Sequence, residues 1–154
     1  MQEPSLLKVF AVFALLLPVQ NAIAQSFVCT SDMSVGFFFN EEKRAWDNAT
    51  FQNISTYDVR RVTDKERAYY ASLEKAPTWG VFKPGQSSSI HLCKEVSTVN
   101  TSTKLLCGDL TYNFKFDERS LRFQAYYVGG YSNGVDNNED TPYIQIGRCH
   151  YVRP

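Results

Sequence analysis

Four cysteines, Cys29, Cys93, Cys107 and Cys149, are the side chains best placed to do chemistry in this 154-residue chain. A zinc site would want paired C-x-x-C spacing, and none is present. An even number of cysteines in an exported chain points instead to two disulfides. Three connectivities are possible. The favoured one joins Cys93 to Cys107 across a short loop and Cys29 to Cys149, tying the first strand to the last. The loop-closure entropy removed by such bridges stabilises by about 3 kcal/mol for the short loop and nearer to about 5 for the long one.

Catalytic parts are few. The two histidines, His91 and His150, have no second ligand at metal-binding spacing. The G-x-S-x-G elbow that presents a nucleophilic serine is absent, and Gly85-Gln86-Ser87-Ser88-Ser89 only looks like it. Both glycine-rich phosphate loops, G-x-x-x-x-G-K and G-x-G-x-x-G, are missing as well. The acids Asp58, Glu95 and Asp109 are scattered, and a hydrolase built from them is the least favoured reading. No catalytic residue is nominated.

The stretch Gly129 to Pro142, GGYSNGVDNNEDTP, is the most suggestive. Asp136, Asn138 and Asp140 have the one-three-five spacing of a calcium loop, but its sixth position is Thr141 rather than glycine and its twelfth is Gly147 rather than glutamate. A solvated acidic turn is therefore expected, with no metal and no cofactor. The loop is longer than a hairpin needs, and long loops on rigid scaffolds often carry binding. Tyr131, Asn133, Asp136, Asn138 and Asp140 form the candidate partner-binding loop, with Tyr131 as an exposed aromatic anchor. Three N-x-S/T sequons begin at Asn48, Asn53 and Asn100; they would predict sugars only in a eukaryotic secretory route.

The elements that must position these residues read as strands. Residues 1–24 carry Lys8, an apolar run from Val9 to Leu17 and the ending Ala22-Ile23-Ala24, the parts of a cleavable signal peptide. Residues 25–154 then form a single exported domain, periplasmic or secreted, with no membrane span after cleavage. Short strands are expected at 27–30, 34–39, 46–52, 55–62, 78–83, 89–96, 103–107 and 143–152. Thr63-Asp64-Lys65-Glu66 matches a capping box, and Tyr69, Leu73 and Ala76 follow at helical spacing, predicting one short helix that ends by Pro77. The clearest hairpin lies between Leu110 and Val128, where Leu110, Tyr112, Phe114 and Phe116 alternate with polar residues and Leu121, Phe123, Ala125 and Tyr127 do so again. A four-residue loop at 117–120 would set Phe116 opposite Leu121, Phe114 opposite Phe123 and Lys115 opposite Arg122, keeping the apolar side chains on one face.

Eight or nine strands, one helix and a bridge between the two ends predict a mainly β protein, a small antiparallel barrel (or sandwich) of about eight strands with two disulfides. The formal charge of zero shows no basic, phosphate-seeking surface, so nucleic acid is not expected as a partner.

With Phe27-Val28-Cys29, SVGFFF, Trp46, TYDVRRV, LRFQAYYVGGY and TPYIQIGRC in view, the chain resembles small uncharacterised exported proteins of alphaproteobacteria. It is more loosely similar to the periplasmic C-type lysozyme inhibitors, disulfide-tied antiparallel barrels that begin with an aromatic-x-cysteine strand and end near a cysteine. That similarity implies the fold. The inhibitors' loop serine sits in a glycine and tyrosine pattern that Ser87-Ser88-Ser89 lacks, so no inhibitory residue carries over. The expected function is a non-enzymatic exported binding module for a protein or cell-envelope partner, inhibitor-like in kind. The alternative is a small-molecule carrier with an apolar barrel interior.

Overall fold

Among the described residues, nine strands and a short helix follow one another in the order β1 (Ser26–Asn40), β2 (Ala45–Phe51), β3 (Thr56–Arg61), α1 (Asp64–Tyr69), β4 (Trp79–Phe82), β5 (Ser89–Ser97), β6 (Thr103–Gly108), β7 (Tyr112–Asp117), β8 (Arg122–Tyr127) and β9 (Tyr143–Val152). The computed structural model describes residues 25–69, 77–97 and 103–152; the stretch expected to be a signal peptide, 1–24, and the third sequon asparagine, Asn100, lie outside them. Neighbouring strands run β1-β3-β4-β5-β6-β7-β8-β9, and β9 pairs back onto β1, so eight antiparallel strands close into a barrel. Closure removes the open edges that an eight-stranded sheet would otherwise present. The ninth strand, β2, pairs only with the far half of β1, from Ser34↔Phe51 to Asn40↔Ala45.

The expected strands at 27–30 and 34–39 are therefore one long strand, irregular where the β1–β9 register shifts between Ser31 and Met33. Its first half is barrel wall, Ser34 to Gly36 pair with both β9 and β2, and Phe37 to Asn40 continue in the hairpin with β2.

Inward-facing side chains fill the barrel. Phe27, Val59, Trp79, Val81, Leu105, Phe114, Phe116, Phe123 and Ala125 are all buried in one cluster. Phe114 and Phe123 stack with centroids 5.0 Å apart and planes 11° apart, and the Tyr57 ring meets both edge-on. An eight-stranded barrel is narrow enough for side chains alone to occupy its interior. Both disulfides join directly opposed residues of neighbouring strands: Cys29 and Cys149 close the β1–β9 seam, and Cys93 and Cys107 cross-link β5 to β6.

The β7–β8 hairpin forms with its faces as expected but in a different register. Phe116 lies opposite Phe123, Phe114 opposite Ala125, Tyr112 opposite Tyr127 and Asp117 opposite Arg122. The loop still has four residues but begins one residue later, at Glu118, which moves every partner by two and leaves each side chain on its face. Leu121 accordingly sits in the turn, at φ 52°, and its carbonyl accepts a hydrogen bond from Cys149 N. The expected pairing of Lys115 with Arg122 does not occur. Lys115 faces Gln124, and Asp117 meets both Arg122 and, at 3.2 Å, Lys104. Asp117 opposite Arg122 is a more favourable cross-strand neighbour than Lys115 opposite Arg122 would have been.

The helix α1 opens on the reciprocal capping box: Thr63 N donates to Glu66 Oε2 (2.7 Å) and Glu66 N donates to Thr63 Oγ1 (3.3 Å). Arg60, stacked over the Phe82 ring at 3.6 Å, donates both guanidinium nitrogens to the Glu66 carboxylate. These contacts hold the Glu66 pKa down at about 2, with the Arg60 hydrogen bonds as the largest cause. Of the expected stripe, Leu73 and Ala76 lie outside the described residues.

Candidate functional site

The loop from Gly129 to Pro142 is not a free solvated turn. It folds back along the β1–β2 hairpin, and its polar residues serve that docking. A 3-10 turn at Tyr131–Asn133 starts it. Gly130, at φ 72°, lies so close to the chain's return that a Cβ there would stand 2.1 Å from the Asp140 carbonyl oxygen. The backbone of Phe37 donates to the Pro142 carbonyl at 3.0 Å. Asn138 then takes the place of a partner strand beyond that point. Its amide oxygen accepts from Phe39 N (2.8 Å), and its amide nitrogen donates to Phe39 O (2.9 Å).

The other predicted residues are found on the same contact. Asp136 accepts the indole N–H of Trp46 at 2.9 Å. Trp46 packs edge-on between Phe39 and Tyr131, with centroids 5.6 and 5.7 Å away. Tyr131 is thus both exposed and braced, 64% of its surface being open. Asp140 accepts from the Tyr127 hydroxyl at 3.0 Å, and that hydrogen bond is the main reason the Tyr127 pKa is raised. Asn133 is exposed and hydrogen-bonds through its backbone to Gly130 O. Asp136, Asn138 and Asp140 therefore each point an oxygen at a different protein donor. Among the described residues no group of three or more His, Cys, Asp or Glu side chains could hold a metal ion.

A second feature was not anticipated. Part of the outward face of the β1–β9 seam is apolar: Met33 lies beside Ile146 and Val35 beside Ile144, beyond the exposed Asp32–Arg148 ion pair. Phe37 continues the row along β1, and Met33, Phe37, Ile144 and Ile146 are 55%, 53%, 48% and 48% exposed. The row runs into a groove of about 590 Å³ between the hairpin and the loop's ends, with Phe37, Val128, Pro142 and Ile144 on its apolar side and Asn48 and Thr50 on the other. Contiguous exposed apolar surface on a folded domain marks an interaction site more often than scattered single residues do. The sequon asparagines Asn48 and Asn53 are both exposed, Asn48 on this groove.

The remaining acids and histidines are engaged separately. Asp109 caps its own turn, accepting from Thr111 N and Tyr112 N, and the latter bond leads in holding its pKa at about 2. Glu95 accepts from the Thr78 hydroxyl, and Asp58 sits within β3 between Val28 and Phe82. His91 stacks on Tyr112, centroids 3.9 Å apart, and its burial lowers its pKa against the pull of Asp109. His150 is exposed on β9.

Among the described residues no helix is long and apolar enough to cross a membrane. The fold and its surface define a disulfide-closed antiparallel barrel with a loop-braced hairpin and one apolar seam. No protein-family description, no curated protein and no solved structure matches the chain.

Proposed function

We propose that this protein is an exported, non-enzymatic binding module, periplasmic or secreted, that engages a protein or cell-envelope partner through the β1–β9 seam and the adjoining loop. The single observation carrying the proposal is the exposed row Met33, Val35, Phe37, Ile144 and Ile146 on an otherwise closed barrel. Rigid aromatic anchors beside it, Trp46 and Tyr131, are the residue types that dominate binding energy at interfaces. The two disulfides accord with folding in an oxidising compartment. An inhibitor-like role, as the resemblance to the lysozyme inhibitors implies, is one form this engagement would take. The barrel interior, filled with aromatic side chains, weighs against the alternative of a carrier with an apolar interior.

The test is site-specific photo-cross-linking in the producing organism, with the reactive residue placed at Phe37, at Ile144 or, as control, at the outward Lys115 of β7. Discrete adducts are expected from the first two positions only, and they should vanish when Val35→Asp is added. Equal labelling at Lys115, or none at the seam, refutes the proposal.

A further inference from the structure

One end of the barrel carries a different kind of surface. Two hollows of about 490 and 500 Å³ meet there and share Ser55 and Tyr143. Each falls within the size range of small-ligand pockets. Tyr112 lines the first, flanked by Ile54, Ile90 and Pro84, and Gln145 lines the second together with Tyr127 and Asp140.

The floor is polar but uncharged. Tyr57 donates to Gln145 Oε1 at 2.7 Å, and Gln145 Nε2 donates to Ser55 Oγ at 2.9 Å. This relay fixes three side chains that line the hollows. Tyr112 lies beside it. Its residue is 9% exposed, and its buried hydroxyl sits near those of Tyr57 and Tyr143 without a well-formed hydrogen bond to either. Burial, with the Tyr57 and Tyr143 hydroxyls close by, raises its pKa, so it stays protonated and able to donate. Burial pushes Tyr143 up to about 12 for the same reason. A buried hydroxyl without a partner is costly, and such groups in folded proteins call for a specific explanation.

The chemistry of the lining selects among ligand classes. A phosphate would want several cations, and Lys83 is the sole basic residue lining either hollow among the described residues. A lipid tail would want an apolar floor, which the Tyr57–Gln145–Ser55 relay denies. A sugar ring suits both properties, since its C–H face packs on flat aromatic rings while its hydroxyls both donate and accept.

We infer that the two joined hollows at this barrel end form a binding site for a short, uncharged oligosaccharide, with the Tyr112 hydroxyl completing its hydrogen bonding on a sugar oxygen. The site adjoins the seam groove, with which it shares Tyr127 and Tyr143, but its ligand is independent of the partner assigned to the seam.

The test titrates the folded, oxidised chain with N,N′-diacetylchitobiose, cellobiose and maltose, followed by amide chemical shifts and saturation transfer. At least one disaccharide should shift Ser55, Tyr57, Tyr143 and Gln145 together and leave Phe37 and Asn48, which line only the seam groove, unmoved. Tyr112→Phe should weaken that binding about tenfold, the loss of one good hydrogen bond, without lowering the thermal midpoint. Tyr143→Phe, at a half-buried position, supplies the same reading should Tyr112→Phe fold poorly. Val35→Asp at the seam should leave sugar binding intact. Failure of all three sugars at tens of millimolar, shifts centred on the seam, or unchanged affinity in both tyrosine variants would overturn the site.

Discussion

The side chain of Asn138 holds the backbone of Phe39 from both sides of its peptide, accepting its N–H and donating to its carbonyl. An amide is the one side chain that can imitate a strand in this way, because it offers a donor and an acceptor in one plane. Asn138→Asp keeps the size and loses the donor. Each lost hydrogen bond weakens the docking by about 1 kcal/mol, with more where a carbonyl is left facing a carboxylate. Amide exchange at Phe37 and Phe39 should accelerate about tenfold in Asn138→Asp, while global urea unfolding shifts little. Unchanged exchange would mean that Pro142 and Trp46 hold the hairpin without the clamp.

Gly147 faces Thr30 and Phe123 across the barrel wall. A Cβ there would stand 2.2 Å from the Thr30 carbonyl oxygen and 2.5 Å from the Phe123 ring. The first contact is with backbone paired in the sheet and cannot swing aside. Gly147→Ala should therefore destabilise by about 3 kcal/mol or more, at the overpacking end of core substitutions. Denaturant unfolding would record this as a lower midpoint, and a loss under about 1 kcal/mol would show that β9 has room to move.

The two disulfides should be unequal. Cys29–Cys149 spans 120 residues and Cys93–Cys107 spans 14. Because loop-closure entropy grows with the logarithm of length, Cys29→Ser with Cys149→Ser should cost about 5 kcal/mol against about 3 for the other pair. Urea midpoints of the two double variants give the order. The reverse order would mean that the unfolded chain already keeps its ends together.

Acid should loosen the start of α1 before it touches the core. The Glu66 pKa, held down by Arg60 and then by Thr63, is about 2 against an ordinary 4.5. A folded value below the unfolded one makes the contribution present in full above about 4.5 and lost as pH falls through about 2. The Glu66 carboxyl signal in a carbon NMR titration should turn over near the lower value, and Arg60→Met should move it upward. A turnover near 4.5 in the unmodified protein would show that the guanidinium contact does not persist in solution.

Covalent and local features were legible from the chain alone. The cysteine pairing followed from placing the first and last strands together, and the short bridge it includes lies in the β5–β6 register that sets Lys94 opposite Leu106 and Val96 opposite Lys104. The capping box needed only Thr63 and Glu66. The β7–β8 register was harder, since moving the loop by one residue shifts partners by two and preserves the alternation, so alternation alone cannot choose between the two. The apolar seam was hidden for another reason. SVGFFF carries apolar residues on both faces, and TPYIQI alternates Ile144 and Ile146 with Gln145, a pattern that reads as buried isoleucines, whereas in the barrel Gln145 is buried and the isoleucines are bare. The barrel-end tyrosines come from β3, β7 and β9, and no sequence spacing brings Tyr57, Tyr112 and Tyr143 together.

The bridge at Cys29–Cys149 has a mechanical meaning as well. Tension applied to the two ends of the described chain would pass straight across this bond, in parallel with everything between. Only the few residues outside it, Gln25 to Val28 and His150 to Val152, could be drawn out while it is intact. The oxidised barrel can therefore be tethered and pulled by its ends without the load reaching the hairpin, the seam or the tyrosine cleft. Reduction would expose all 120 residues of that loop to the same pull.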